Sequence, residues 1–169
     1  RRRGAAAPDR PRGLQLVRVW RICRERYAAD ALSGRGGLVV SGRWHTRGRP
    51  VVYASESLAL AALEVLVHAD RATAPADLVR VEIDVPDGLS VARVSTRDLP
   101  KDWRKYPSHP DLRRRGDEWL RGGSTPVLAV PSVVVPEESN FLLNPQHPDA
   151  RRLSIVSTRR FSLDARLLS

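Results

Sequence analysis

Leu38-Val39-Val40-Ser41-Gly42-Arg43-Trp44, followed by Val51-Val52-Tyr53-Ala54 and by Leu58-Ala59-Leu60-Ala61-Ala62-Leu63-Glu64-Val65-Leu66-Val67, reads as strand, turn, strand, helix. The apolar, largely β-branched run Leu38-Val39-Val40 predicts a short strand meeting Ser41-Gly42. Thr46-Arg47-Gly48-Arg49-Pro50 supplies the turn, because Gly48 tolerates φ > 0 and Pro50 fixes the exit. Val51 to Ala54 is a second strand, after which Ser55 or Ser57 can cap a helix by accepting an orphaned backbone N–H. Leu58, Ala61, Ala62, Val65 and Leu66 follow the helical period, and Leu60, Leu63 and Val67 occupy the other side. A helix apolar nearly all round is expected to be buried.

Glu64 is the one ionisable side chain between Leu58 and Val67. A lone carboxylate in apolar surroundings is expensive unless paired or hydrogen-bonded. Three explanations are open: an internal ion pair with an arginine, a helix edge reaching water, or a site carboxylate facing a cleft. Arg43 and Tyr53 carry the same ambiguity. In so arginine-rich a chain a single arginine is usually a solvated surface group, and a strand tyrosine is usually a sheet-face aromatic with its hydroxyl satisfied. Together, a cation, an aromatic and a carboxylate are what is needed to hold a pyrophosphate, stack a flat ring and stabilise a developing positive charge.

Strand and loop signals alternate through the rest of the chain. Leu14 to Cys23 alternates as a strand, and Arg26 to Leu32 is a short helical candidate. Leu78 to Val85 alternates cleanly and stops at Pro86-Asp87-Gly88. A helix or tight turn is expected between Asp98 and Trp103, and a helix from Leu112 to Leu120 ended by Gly122-Gly123. Val127 to Ser132 reads as a strand terminating at Pro131, with Val133-Val134-Val135 starting another. Asn140-Phe141-Leu142-Leu143-Asn144-Pro145 is an apolar patch framed by asparagines, and Leu153 to Ser157 a last strand. Six or more strands with two or three helices in no regular βαβ order predict an α+β fold, one compact domain with mixed β-sheet and flanking helices. GxGxxG and GxxxxGK[ST] are both absent, so a nucleotide would have to be held by another route.

The 169 residues suffice for one domain with a substantial core. The 29 Lys+Arg against 19 Asp+Glu give a net charge of +10 and invite a nucleic-acid reading. Much of the excess sits in Arg1, Arg2, Arg3, Arg10 and Arg12, within residues 1–13, an arm whose composition predicts disorder. More lies in Arg113-Arg114-Arg115 and Arg159-Arg160, and the arginine bias with no methionine also fits a GC-rich genome. Cys23 is alone, which excludes a disulfide framework or cysteine cluster. His45, His68, His109 and His147 lack metal-ligand spacing, so no metal is expected. No apolar run approaches the roughly 20 residues that span a bilayer, and the basic N-terminus is not followed by a signal-peptide core. The expected setting is cytoplasmic, with no membrane.

Trp20-Arg21-Ile22, Arg26-Tyr27-Ala28, Ser41-Gly42-Arg43-Trp44, Val52-Tyr53, Leu63-Glu64-Val65-Leu66-Val67-His68 and Gly116-Asp117-Glu118-Trp119-Leu120 resemble, in order and spacing, the RES domain. Val130-Pro131-Ser132, Pro136-Glu137, Asn140 to Pro145, His147-Pro148-Asp149 and Phe161, Asp164, Arg166 and Leu167 continue the resemblance over residues 14–169, leaving the arm outside. RES domains are the toxin half of bacterial RES-Xre toxin-antitoxin pairs. The resemblance implies an ADP-ribosyltransferase-like fold, attack on the nicotinamide-ribose bond of NAD+, and a hetero-oligomer with an Xre-like helix-turn-helix antitoxin. NAD+ would be substrate, with no separate cofactor. Relatives deplete NAD+ by hydrolysis or phosphorolysis, and some transfer ADP-ribose to a protein. The family's arginine, tyrosine, glutamate and serine fall on Arg43, Tyr53, Glu64 and Ser132.

Those residue types suit the chemistry. Arg43 offers a planar fork to pyrophosphate or ribose, Tyr53 a ring to stack on nicotinamide or ribose, and Glu64 a charge for the oxocarbenium-like transition state. Ser132 is a hydrogen-bond partner rather than a nucleophile, since no His/Asp pair is placed to activate it. Arg21 could help hold phosphate and Asn140 could hold a loop over the pocket, with alternatives as a sheet-edge charge and a turn residue. The sequence departs from the family pattern in three places: His45 stands where asparagine is expected, Ser41 where a second glycine is common, and Arg113-Arg114-Arg115 makes the approach to Gly116-Asp117 unusually basic. Two rival classes are a basic nucleic-acid-binding module and a catalytically dead relative that binds a partner.

Overall fold

The computed structural model describes residues 18–68 and 75–167. The basic arm, residues 14–17 of the expected first strand and the last two residues lie outside it. Seven strands form one sheet: β1 (Arg18–Arg24), β2 (Val52–Ser55), β3 (Leu78–Asp84), β4 (Val91–Arg93), β5 (Val127–Pro131), β6 (Ser139–Leu143) and β7 (Ser154–Arg160), in the order β4-β5-β6-β2-β1-β3-β7. Among the described residues only β4 and β5 run parallel; their crossover contains the helix α3 (Pro110–Gly122), and two others, α1 (Gly36–Val39) and α2 (Leu58–Leu66), flank β2 in sequence. The mixed sheet with few helices is the α+β class expected.

The sheet has a seam. β1 pairs with β3 all along its length, Arg18 opposite Asp84 through Arg24 opposite Leu78, whereas β1 and β2 share a single register pair, Trp20 with Ser55. One wing is therefore β1-β3-β7 and the other β4-β5-β6-β2, and the second is apolar on both faces. Val127 and Ala129 of β5 and Phe141 and Leu143 of β6 join Val19, Val81 and Ile83 in one cluster. Leu128, Val130 and Leu142 join Trp44, Trp103, Leu112 and Trp119 in another. Burial on both faces explains why Val127 to Val130 is an unbroken apolar run rather than an alternating one.

Three expectations need correction. Leu38-Val39-Val40 is not a strand: Leu38 and Val39 lie in the one-turn helix α1, closed by Val40 N–H on the Gly36 carbonyl, and all three side chains are exposed. Glycines before the run let the backbone turn tightly; at Gly37 a Cβ would lie 2.2 Å from the Arg49 carbonyl oxygen. Val133-Val134-Val135 does not start a strand, because the amides of Val134 and Val135 both go to the Ser132 hydroxyl at 3.1 Å. The α2 helix is covered on one side only: Leu60 and Ala61 are buried, while Leu63 and Val67 face solvent at 37% and 56% exposure. Arg26 to Leu32 contributes a single 3-10 turn over Glu25–Tyr27, and the short strand β4 carries no clear signal in sequence.

Elsewhere the local chemistry acts as read. Ser57 caps α2 by accepting Leu60 N–H at 3.0 Å. Gly123 ends α3 in the left-handed region at φ 56°, and Gly48 carries the turn at φ 92°.

Candidate functional site

Glu64 projects from α2 onto two neutral donors brought from the far half of the chain. Its Oε1 accepts from Ser132 Oγ at 2.8 Å and from Asn140 Nδ2 at 2.6 Å. Ser132 follows β5 and is wholly buried; Asn140 sits in β6, and its Oδ1 accepts from Ser55 Oγ at 2.8 Å. That last bond closes a chain of polar contacts across β2 and β6, whose register sets Ser55 opposite Asn140. Among the described residues no arginine or lysine forms an ion pair with Glu64, which removes the first of its three explanations. Hydrogen bonds from neutral groups orient a carboxylate without cancelling its charge. Oε2 has no hydrogen-bond partner among the described residues.

Ser132 Oγ donates to Glu64 and accepts from the amides of Val134 and Val135, so its proton and both lone pairs are occupied. That saturation suits a positioning group and leaves no lone pair for attack.

The loop between α1 and β2 brings Arg43 and Tyr53 into the same neighbourhood. Arg43 Nη1 donates to the carbonyls of Trp103 at 3.0 Å and Lys105 at 3.2 Å. Burial pulls its guanidinium below the ordinary pKa against the opposing pull of Glu64 and Tyr53. The Tyr53 hydroxyl accepts from Trp44 N–H at 3.3 Å and meets His45 Nδ1 at 2.8 Å, and burial raises its pKa well above the ordinary value. Gly42 is required here: a Cβ would lie 2.7 Å from the Tyr53 hydroxyl and 2.8 Å from the His45 ring. Helix α3 fixes the loop from outside. Asp117 accepts from Thr46 N–H at 2.9 Å and Thr46 Oγ1 at 2.6 Å, and pairs with Arg49 at 3.0 Å. One residue earlier, a Cβ on Gly116 would come within 1.7 Å of the Trp44 carbonyl oxygen.

Arg21 spans the seam. Its Nη1 donates to the Tyr53 carbonyl at 2.9 Å, supplying a link where the β1–β2 ladder has only one pair. Strand alternation puts Arg21 on the face of Val19 and Cys23, whereas Tyr53, Ser55 and Asn140 share the other. Burial pulls its guanidinium below the ordinary pKa, and its Nε is buried with no partner among the described residues. Glu64, Ser132 and Asn140 are thus joined directly, Tyr53 and Arg43 stand in the flanking loop and strand, and Arg21 reaches them through backbone. Cavities of about 280 and 350 Å³ open elsewhere, one along Leu32, Pro145 and Leu153 and one along Glu25, Asp77 and Phe161; neither is lined by Glu64, Tyr53 or Ser132.

A family model described as RES domain matches residues 18–164, the span that holds every residue of this cluster. The chain belongs to the RES domain family. Its RES domain is 41% identical over 153 residues to a protein of Sphingobium sp. (strain YBL2) named "Prs ADP-ribosylating toxin", covering 88% of this chain and 95% of that one. It is 42% identical to a "Toxin Res" of Pseudomonas putida (88% and 98% covered) and 36% identical to a "Toxin Res" of Photorhabdus laumondii (89% and 96%). In three dimensions it is similar to a chain in the crystal structure of the M. tuberculosis MbcT-MbcA toxin-antitoxin complex. The TM-score is 0.70 at 20% identity, covering 85% of this chain and 82% of that chain, which is a likeness of fold.

Asp117, His45 and Ser55 join the hydrogen bonds of this RES domain's cluster without standing out in the sequence. Gly116-Asp117 carried a signal, since a glycine inside an amphipathic helix marks a close approach. His45 was visible only as a departure from asparagine, and Ser55 only as a possible cap.

Proposed function

We propose that the protein is the toxin of a toxin-antitoxin pair and cleaves the nicotinamide-ribose bond of NAD+. The observation that carries this reading is the Glu64 carboxylate, oriented by Ser132 and Asn140 and free of an ion-pair partner among the described residues. Breaking the N-glycosidic bond leaves positive charge on the ribose while nicotinamide departs neutral, so the step needs a fixed negative charge more than an acid. At an effective dielectric of about 20, two opposite unit charges about 4 Å apart attract by roughly 4 kcal/mol, enough for about a thousandfold in rate. A guanidinium on Glu64 would have spent that attraction in the resting protein.

In this assignment Glu64 stabilises the ribose cation, with Ser132 and Asn140 holding its carboxylate. Tyr53 presents its ring to nicotinamide or ribose. Arg43, anchored through Nη1 alone among the described residues, turns the rest of its fork to the pyrophosphate. Arg21 supports Tyr53 from β1 through its backbone carbonyl. The names of the curated relatives support a toxin, and the MbcT-MbcA complex supports an antitoxin partner; the partner proposed is an Xre-like helix-turn-helix protein that covers Glu64. The acceptor is water or phosphate in the depleting reading; transfer of ADP-ribose to a host protein is the second reading, favoured by the name of the Sphingobium relative.

The test is NAD+ concentration over time with purified protein, with and without phosphate, wild type beside Glu64→Gln. Loss that needs Glu64 supports cleavage, and phosphate dependence separates phosphorolysis from hydrolysis. Protein labelling by a tagged NAD+ in cell extract, without bulk NAD+ loss, selects transfer. Absence of both NAD+ loss and labelling overturns the reading.

A further inference from the structure

His45 stands behind Tyr53, and its hydrogen bonds specify its tautomer. Nε2 lies 3.0 Å from the Val40 carbonyl oxygen, which can only accept, so Nε2 carries the proton. Nδ1 therefore offers a lone pair, and it is met by the Gly42 amide at 3.2 Å and the Tyr53 hydroxyl at 2.8 Å. Tyr53 donates to His45 and accepts from Trp44 N–H, so the hydroxyl is held in one direction. The imidazole is 3% exposed, and its ring centroid lies 5.5 Å from that of Tyr53. Gly42 N–H also reaches the His45 carbonyl at 3.0 Å, so the Gly42–His45 turn, with Arg43 inside it, closes around this ring.

We propose that His45 is a positioning residue for the candidate site: its neutral Nδ1 fixes the Tyr53 hydroxyl and the turn that carries Arg43, and proton uptake by the ring undoes that arrangement. This rests on the NAD+ reading above for its activity readout. A proton on Nδ1 removes the lone pair, sets N–H against the Gly42 N–H and forces the Tyr53 hydroxyl to turn. The charged and titratable groups around the ring are Tyr53 from β2, Asp117 and Arg113 from α3, and Arg43 within the turn. Burial dominates and holds the imidazole below its ordinary pKa, with Arg113 acting in the same direction and Asp117 and the Val40 carbonyl against it. The ring is accordingly neutral at pH 7.5. An asparagine at this position can place its amide oxygen near the site of Nδ1 without titrating.

The experiment compares kcat/KM for NAD+ across pH 5 to 8 in wild type, His45→Asn and His45→Leu, with circular dichroism at each pH. Wild type is expected to lose activity toward acid, by about tenfold per pH unit once below the pH at which the ring takes up its proton, the slope of one protonation. His45→Asn is expected to work at pH 7.5 and to lack that limb, and His45→Leu to be impaired at every pH with its fold intact. An unchanged acid limb in His45→Asn, or full activity in His45→Leu, overturns the proposal. If the wild type consumes no NAD+ at pH 7.5, the function reading is what fails. In that case 15N NMR of the imidazole still decides the geometry: an unprotonated Nδ1 whose resonance moves in Tyr53→Phe supports it, and a protonated Nδ1 at pH 7.5 overturns it.

Discussion

Glu64→Gln keeps an oxygen that can accept from Ser132 and Asn140 while removing the charge. NAD+ cleavage is expected to fall about 10²–10³-fold with little change in thermal midpoint, measured by nucleotide consumption beside a melting curve. Ser132→Ala should behave differently, because it releases Glu64 and also strips the acceptor from the Val134 and Val135 amides. Each buried donor left unpaired costs about 1–3 kcal/mol, so this variant is expected to lose stability in urea titration as well as activity. Glu64 was legible in the sequence because a charge in an apolar helix demands a reason. Its partners were not, since they lie 68 and 76 residues away and only the sheet register joins them. His45 was less legible still: its role depends on which nitrogen faces Tyr53, and spacing carries no such information.

Helix α3 and the loop it clamps make one mechanical unit. Gly116→Ala would drive a methyl into the Trp44 carbonyl, a backbone atom that cannot step aside by changing rotamer. The expected result is loss of stability by about 1–3 kcal/mol together with weakened NAD+ binding, since Trp44 lies beside Arg43; a denaturant titration and KM measured side by side check it. Asp117→Asn keeps an acceptor for Thr46 but loses the charge that faces Arg49, so a smaller penalty is expected. Strands buried on both faces and helices with clear stops could be read from apolar runs and glycines. Leu38-Val39-Val40 and Val133-Val134-Val135 could not, although both look strand-like. Their amides are claimed locally, Val40 by the Gly36 carbonyl and Val134 and Val135 by a serine hydroxyl, leaving no ladder for them to join.

Across the whole molecule, arginines among the described residues are held in two ways. Arg18, Arg24, Arg35, Arg49, Arg114, Arg115 and Arg166 each face a carboxylate, and Arg21, Arg43, Arg104, Arg113 and Arg152 donate to backbone carbonyls. On the NAD+ reading, nucleic-acid binding in a filter or mobility assay is expected to be weak and to vanish at moderate salt. Stability should depend on pH through His45. Its folded pKa lies below the ordinary 6.5, so the unfolded chain binds the proton more readily; the contribution is complete above that pH and is lost as pH falls through it. Urea midpoints at pH 7.5 and 5.5 test this, with a smaller difference expected in His45→Asn. At pH 5.5 Asp77, Glu82, Asp111 and Asp164, held low by hydrogen bonds and arginines, keep their charge.

The strand order has a consequence in time. In the order β4-β5-β6-β2-β1-β3-β7, β5 and β6 form the one hairpin between neighbours in both sequence and sheet with a full ladder; most other pairings wait for distant chain, a topology that folds in milliseconds to seconds. Glu64 leaves the ribosome 76 residues ahead of Asn140, which at about 5–20 residues per second is roughly 4–15 s of synthesis. Throughout that interval the carboxylate lacks its Asn140 donor. On the NAD+ reading, a nascent chain cannot act until β6 closes on β2, so activity begins only with the completed sheet.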